Sequence, residues 1–160
     1  MSRAIAAAAL MSISLATGPV QSAGAEVSYP DGYRAWYHVK SMVILPGHGL
    51  ADPFQGIHHV YANPAALEGM LSGDYRDGSV LVFDLLHNVE GDNAIQEGQR
   101  KLIGVMERDA QRFAATGGWG FEGFAGDSRV ERLTSDGGRG CFECHASQQD
   151  RQFVFSRLRD

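Results

Sequence analysis

This chain has two cysteines, Cys141 and Cys144, and His145 follows directly. No other feature constrains the fold as much as this C-x-x-C-H spacing. Two thiols three residues apart can add to the two vinyl groups of one haem while the adjacent imidazole reaches the iron. Cys141 and Cys144 are therefore read as the thioether anchors of one covalent haem c, and His145 as the proximal iron ligand. A neutral imidazole binds iron through one nitrogen, and its other nitrogen is expected to donate a hydrogen bond that fixes the ring. Two other readings attach to the cysteines. A structural zinc site needs four ligands, so His48, His58 or His59 would have to come from afar. A thioredoxin-like redox pair expects a βαβ context, which the sequence lacks. The spacing favours haem. Only fifteen residues follow His145, so almost the whole chain lies upstream and can build a pocket around the group.

The first residues follow the grammar of a secretory signal. Arg3 supplies the positive start, residues 4–15 form an apolar run too short to span a bilayer, and Ala23-Gly24-Ala25 fits a cleavage site. Residues 1–25 are read as a signal peptide and residues 26–160 as a single mono-haem domain, located in the periplasm. A mature chain of about 135 residues suits one domain with one core. Arg3 is the only charge lost, which moves the net charge from -5 to -6. That balance argues against nucleic acid or an anionic membrane as a partner. No later stretch is long and apolar enough for a membrane span.

Local patterns give the elements. Residues 31–42 are predicted as a helix capped by Asp31, with Tyr33, Trp36, Tyr37 and Lys40 on one side. Residues 55–61 read as a strand. Asn63-Pro64 is a helix start, with Leu67, Met70 and Leu71 as the inner face. Residues 79–86 are the clearest strand, with Leu81, Phe83 and Leu85 on one face and Val80 and Val82 on the other. Residues 102–107 form a second such strand, weakened by Gly104. A short helix is predicted over 109–115 and a strand over 119–125, where aromatic and small residues alternate. A Gly-rich loop, 137–140, precedes a short helix carrying His145. The sum is an α+β domain, a mainly antiparallel sheet with peripheral helices and a C-terminal haem attachment.

The sixth position on the iron is not decided by these patterns. Met42, Met70, Met106, His38, His48, His58, His59 and His87 are all available. Each methionine fits an element face, where packing is its usual role. The residues give a c-type haem protein and leave its distal side open.

Several stretches occur together in a specific order. They are Tyr29 to Trp36, Ile57 to Pro64, Asp77 to Val82, Arg112-Phe113 with Gly118 to Phe121, Cys141 to His145, and Phe153 to Phe155. In this order, with the haem motif last, the chain resembles the cytochrome c'-beta and cytochrome P-460 family. The resemblance implies a mainly antiparallel β fold, a homodimer and a five-coordinate haem. The cytochrome P-460 branch carries a lysine just after the strand that matches 78–82. That lysine bonds to the haem ring in proteins that oxidise hydroxylamine. Here the position holds Phe83, which has no nucleophile. The chain's lysines, Lys40 and Lys101, do not match it, and the sequence does not decide whether either cross-links to the haem. The resemblance therefore points to the cytochrome c'-beta branch, in which two aromatic rings cap the iron. The matching rings here are Phe54 and Phe83.

Such a cap excludes water and offers a ligand no hydrogen bond. Bound O2 gains most from a distal donor, whereas nitric oxide and CO need less help. The expected function is binding of nitric oxide or CO, for scavenging, storage or sensing, with a redox protein as a possible partner. Cytochrome P-460-like oxidation of hydroxylamine or nitric oxide, and simple electron transfer, are the alternatives. A gas-binding or electron-transfer protein is expected ahead of an enzyme. If the strand begins as early as Phe54, His58 shares its face and lines the pocket rim or meets a haem propionate. Arg151 and Arg157 follow His145 closely enough to reach a propionate or the proximal side.

Overall fold

Five strands, each antiparallel to its neighbours, follow one another in both sequence and space. They are β1 (Tyr37–Ile44), β2 (Gly56–Ala62), β3 (Val80–Gly91), β4 (Ala94–Arg108) and β5 (Trp119–Ala125), in the sheet order β1-β2-β3-β4-β5. A computed structural model describes residues 26–159; the expected signal segment, residues 1–25, lies outside them. Three helical segments flank the sheet: α1 (Ala51–Phe54), α2 (Pro64–Ser72) and α3 (Arg139–His145). The α+β class, mainly sheet, is the one expected from the sequence. No helix among the described residues is long and apolar enough to cross a membrane.

Both faces of the sheet are packed, which explains why β5 is buried at six of its seven positions. On one face Ala62, Leu81, Met106, Trp119 and Phe121 join Ala66, Tyr75 and Val154. On the other Val82, Ile103, Val105 and Phe124 join Val27, Tyr33 and Phe113. Cross-strand partners share a face. One row on the first face therefore reads Lys40, Val60, Phe83, Gly104, Gly123, and the next reads Met42, His58, Leu85, Leu102, Ala125.

The opposite face buries a charge. Asp84 is fully enclosed; it accepts from Tyr33 Oη at 2.7 Å, Arg34 Nε at 3.0 Å and Arg100 Nε at 2.7 Å. Burial alone would raise its pKa, but these donors and cations outweigh it and hold the carboxyl below its ordinary value.

Four expectations are corrected. The helix predicted over 31–42 is a single 3-10 turn, Tyr33–Ala35, followed by β1. The helix over 109–115 is mostly turn, because Asp109 Oδ1 accepts from Gln111 and Arg112 and closes a local loop instead. Helix α2 begins as expected, with Asn63 Oδ1 accepting from Ala66 at 2.8 Å. Leu67 and Met70 pack against the core as expected, beside the buried Ala66 and Gly69, but Leu71 turns outward, 73% exposed. Finally, Phe54 does not extend β2. It ends α1, two residues before β2 begins at Gly56.

Candidate functional site

Helix α3 is held on β5 by its own lead-in loop. Gly138 precedes it at φ 81°, a left-handed conformation suited to glycine, and a Cβ there would run into the carbonyl oxygen of Phe121. Asp136 accepts from the Gly138 and Gly140 amides, both at 2.9 Å. The Gly140 bond, more than any other influence, holds this carboxyl below its usual range. Further back, Glu122 on β5 accepts from Thr134 Oγ1 at 2.7 Å, from the Gly123 amide at 2.8 Å and from Arg132 at 3.0 Å. Burial would raise its pKa, but these bonds win and lower it. The loop that carries the C-x-x-C-H run is thus tied to the sheet.

On α3 the spacing of three and four residues puts Cys141, Cys144 and His145 on neighbouring positions of one side. Both thiols are unpaired and exposed. The His145 ring sits between Phe121 and Phe155, with centroids 5.0 Å from each. Its Nδ1 lies 2.7 Å from the carbonyl oxygen of Phe153. A carbonyl can only accept, so Nδ1 carries the proton and Nε2 presents a lone pair. This is how a metal-binding histidine is oriented by an outer partner. Burial pushes the His145 pKa down, against a smaller upward effect of the Phe153 carbonyl, and so favours the neutral ring.

Phe54, Phe83 and His58 meet on the sheet face that α3 covers. The Phe54 and Phe83 rings are edge to face with centroids 5.7 Å apart, and His58 lies against Phe83 at 4.5 Å. Lys101 positions Phe54: its Nζ donates to the carbonyl oxygens of Pro53 at 3.0 Å and Gln55 at 2.8 Å. Lys40 lies on the same sheet face as Phe83, two strands away. His58 is 4% exposed and its Nδ1 has no hydrogen-bond partner. Burial, then the charge of Lys40 and the neighbouring His59, push its pKa down to about 4, so the ring is neutral at pH 7.

The aromatic group stands on β2 and β3, and α3 packs on β5. Strand β4 lies between them, and in the Phe83 row it contributes Gly104. A Cβ at Gly104 would meet nothing closer than Phe83 Cβ at 3.5 Å. Gly104 thus puts no side chain on the sheet between the pair of phenylalanines and the strand on which α3 packs with its two thiols and lone-pair imidazole, while Leu133 packs over Gly123 beyond it. A family model described as Cytochrome P460 matches residues 30–156. The chain belongs to the cytochrome P460 family. No curated protein matches it.

Membership implies a c-type haem, and the residues present fit one. The thiols are free, the imidazole tautomer is the metal-binding one, and Gly104 puts no side chain in the way of a planar ring. The zinc alternative fits less well, since no cluster of three or more His, Cys, Asp or Glu side chains that could hold a metal ion occurs among the described residues.

The sequence reading missed the Phe153 carbonyl, the bare position at Gly104, the ties at Glu122 and Asp136, and the hold of Lys101 on Phe54. Of these, only the Gly104 interruption of an alternating run carried a signal, since glycine inside a strand marks a close approach. Met70 and Met106 pack in the core cluster with Leu81 and Trp119.

Proposed function

We propose that this protein is a periplasmic mono-haem cytochrome that binds nitric oxide on an iron held by His145 and covered on its other side by Phe54 and Phe83. The observation that carries this reading is the edge-to-face contact of Phe54 with Phe83 on the sheet face that α3 covers. A haem held by Cys141, Cys144 and His145 would supply an iron able to take a small ligand. The protein's own residues do the rest. Phe153 keeps the proton on His145 Nδ1, so Nε2 is aimed and fixed. Phe54 and Phe83 keep water from the other face and give a ligand no donor to lean on. His58, neutral beside Phe83, adds no positive charge to attract an anion. Such a wall favours nitric oxide and CO over O2 and over charged ligands. Phe83 also stands where the cross-linking branch has its lysine, and Lys101 is engaged with main-chain carbonyls, which supports gas binding over hydroxylamine oxidation.

Titration of the ferrous protein with nitric oxide and CO, and of the ferric protein with azide, followed by absorption, tests the proposal. Tight nitric oxide and CO complexes with no azide complex are expected. Azide binding as tight as that of CO would overturn it.

A further inference from the structure

A cleft of about 430 Å³ opens where the C-terminal tail crosses β1, lined by Lys40, Met42, Arg151, Phe155, Arg157 and Arg159, among others. Among the described residues its lining holds four cations and no carboxylate, in a chain whose net charge is -5. None of the four is paired with a carboxylate among the described residues. Unpaired cations gathered on one patch of an acidic protein set up a local field opposite in sign to that of the whole. A second, independent feature lies in the same cleft. Phe155 is 46% exposed, and its ring stands edge-on to His145 with centroids 5.0 Å apart. The cleft therefore offers a solvent-facing aromatic ring in direct contact with the imidazole read as the iron ligand.

We propose that this cleft is the docking site of an acidic electron-transfer protein. The proposal rests on His145 as the haem ligand and not on which gas the haem binds. Carboxylates of the partner meet Lys40, Arg151, Arg157 and Arg159, and its redox centre is brought towards Phe155. One electron then passes from the partner's reduced centre to the iron behind His145. The partner is oxidised by one electron, the iron goes from ferric to ferrous, and no bond or proton is exchanged. The two carboxylates of a haem, were they to reach this cleft, would still leave half of its charge over.

The reverse electron step, oxidation of the ferrous holoprotein by ferricyanide in stopped flow, reads the sign of the local field. A local cationic site predicts that the rate falls as salt rises, whereas the net negative charge predicts that it climbs. The double variant Arg157→Glu/Arg159→Glu should slow the low-salt rate about tenfold and flatten its salt dependence. Redox-inert hexacyanocobaltate(III) gives a readout independent of electron transfer. It should shift the backbone amides of Lys40 and residues 155–159 in the wild type and leave them unmoved in the variant. A wild-type rate that climbs with salt, or amide shifts confined to other parts of the protein, would overturn the proposal. A ferrous iron that refuses nitric oxide would defeat the gas-binding reading and leave this one standing.

Discussion

Replacing His58 by leucine should remove a pH dependence of stability that the wild-type protein carries between pH 7 and pH 5. The imidazole is enclosed in the native state by Phe83, with Lys40 and His59 as charged or ionisable neighbours, and its pKa drops from 6.5 to about 4. The unfolded chain therefore binds more protons across this window, so stability falls as pH falls from the unfolded value towards the folded one. The full depression is worth about 3 kcal/mol, of which about 2 kcal/mol is lost between pH 7 and pH 5. Carboxylates add little in that range, because Asp84 and Glu122 are held below their ordinary values and lose their contribution only at lower pH. As the proposed iron ligand, His145 would have no site left for a second proton, and whatever it contributes is common to both proteins. Reversible guanidinium unfolding of the holoprotein at pH 7 and pH 5, at constant ionic strength, gives the comparison. The wild type should lose about 2 kcal/mol more than His58→Leu over that interval, whatever the leucine does to stability at pH 7. Equal losses would mean that His58 titrates normally and is not enclosed.

Three further outcomes follow from the same geometry. Phe83→Ala should speed CO association with the ferrous protein several-fold in flash photolysis, and an unchanged rate would remove Phe83 from the iron's open side. Lys101→Met releases the carbonyls of Pro53 and Gln55, so it should raise the same rate part of the way towards that of Phe54→Ala, with Lys101→Arg restoring it. A wild-type rate in Lys101→Met would show that the bonds do not hold Phe54 in place. Asp84→Asn leaves Arg34 and Arg100 without their buried anion and should cost about 3 kcal/mol in denaturant unfolding at pH 7. That cost should shrink as pH falls through the native pKa of Asp84, and the visible spectrum should not change, because Asp84 is on the far side of the sheet. A shifted Soret band would contradict that separation.

How much of this was legible in the sequence depended on how many neighbours each element has. Strand β5, covered on both faces, matched its prediction at both ends, and Asn63-Pro64 marked the start of α2 through local bonding alone. Strand β1 was misread because its side chains are largely exposed or half-exposed and a bulge between His38 and Lys40 breaks its alternation. Tyr33, Trp36, Tyr37 and Lys40 then fit a helical spacing as well as a broken alternation. Beyond Leu86 and before Arg100 the β3–β4 hairpin runs largely exposed to solvent, so no apolar alternation marked it. Its turn was readable in principle, since Asp92 and Asn93 both take positive φ, as a two-residue turn requires. In the site, the C-x-x-C-H residues announced themselves by type and spacing, whereas Phe54 and Phe83 were picked out by the family resemblance. The Phe153 carbonyl carried no such signal, because a main-chain acceptor is offered by any residue. Phe54 and Phe83 come together although Phe54 lies outside the strand: α1, not β2, delivers the ring.

The coordination of the iron in the purified ferrous protein, with no ligand added, tests the central claim most directly. Absorption and resonance Raman spectra should show a five-coordinate, high-spin iron with His145 as its single axial ligand, turning to a nitric oxide complex on addition of the gas. A six-coordinate, low-spin ferrous iron, with a methionine or a second histidine already in place, would contradict the account.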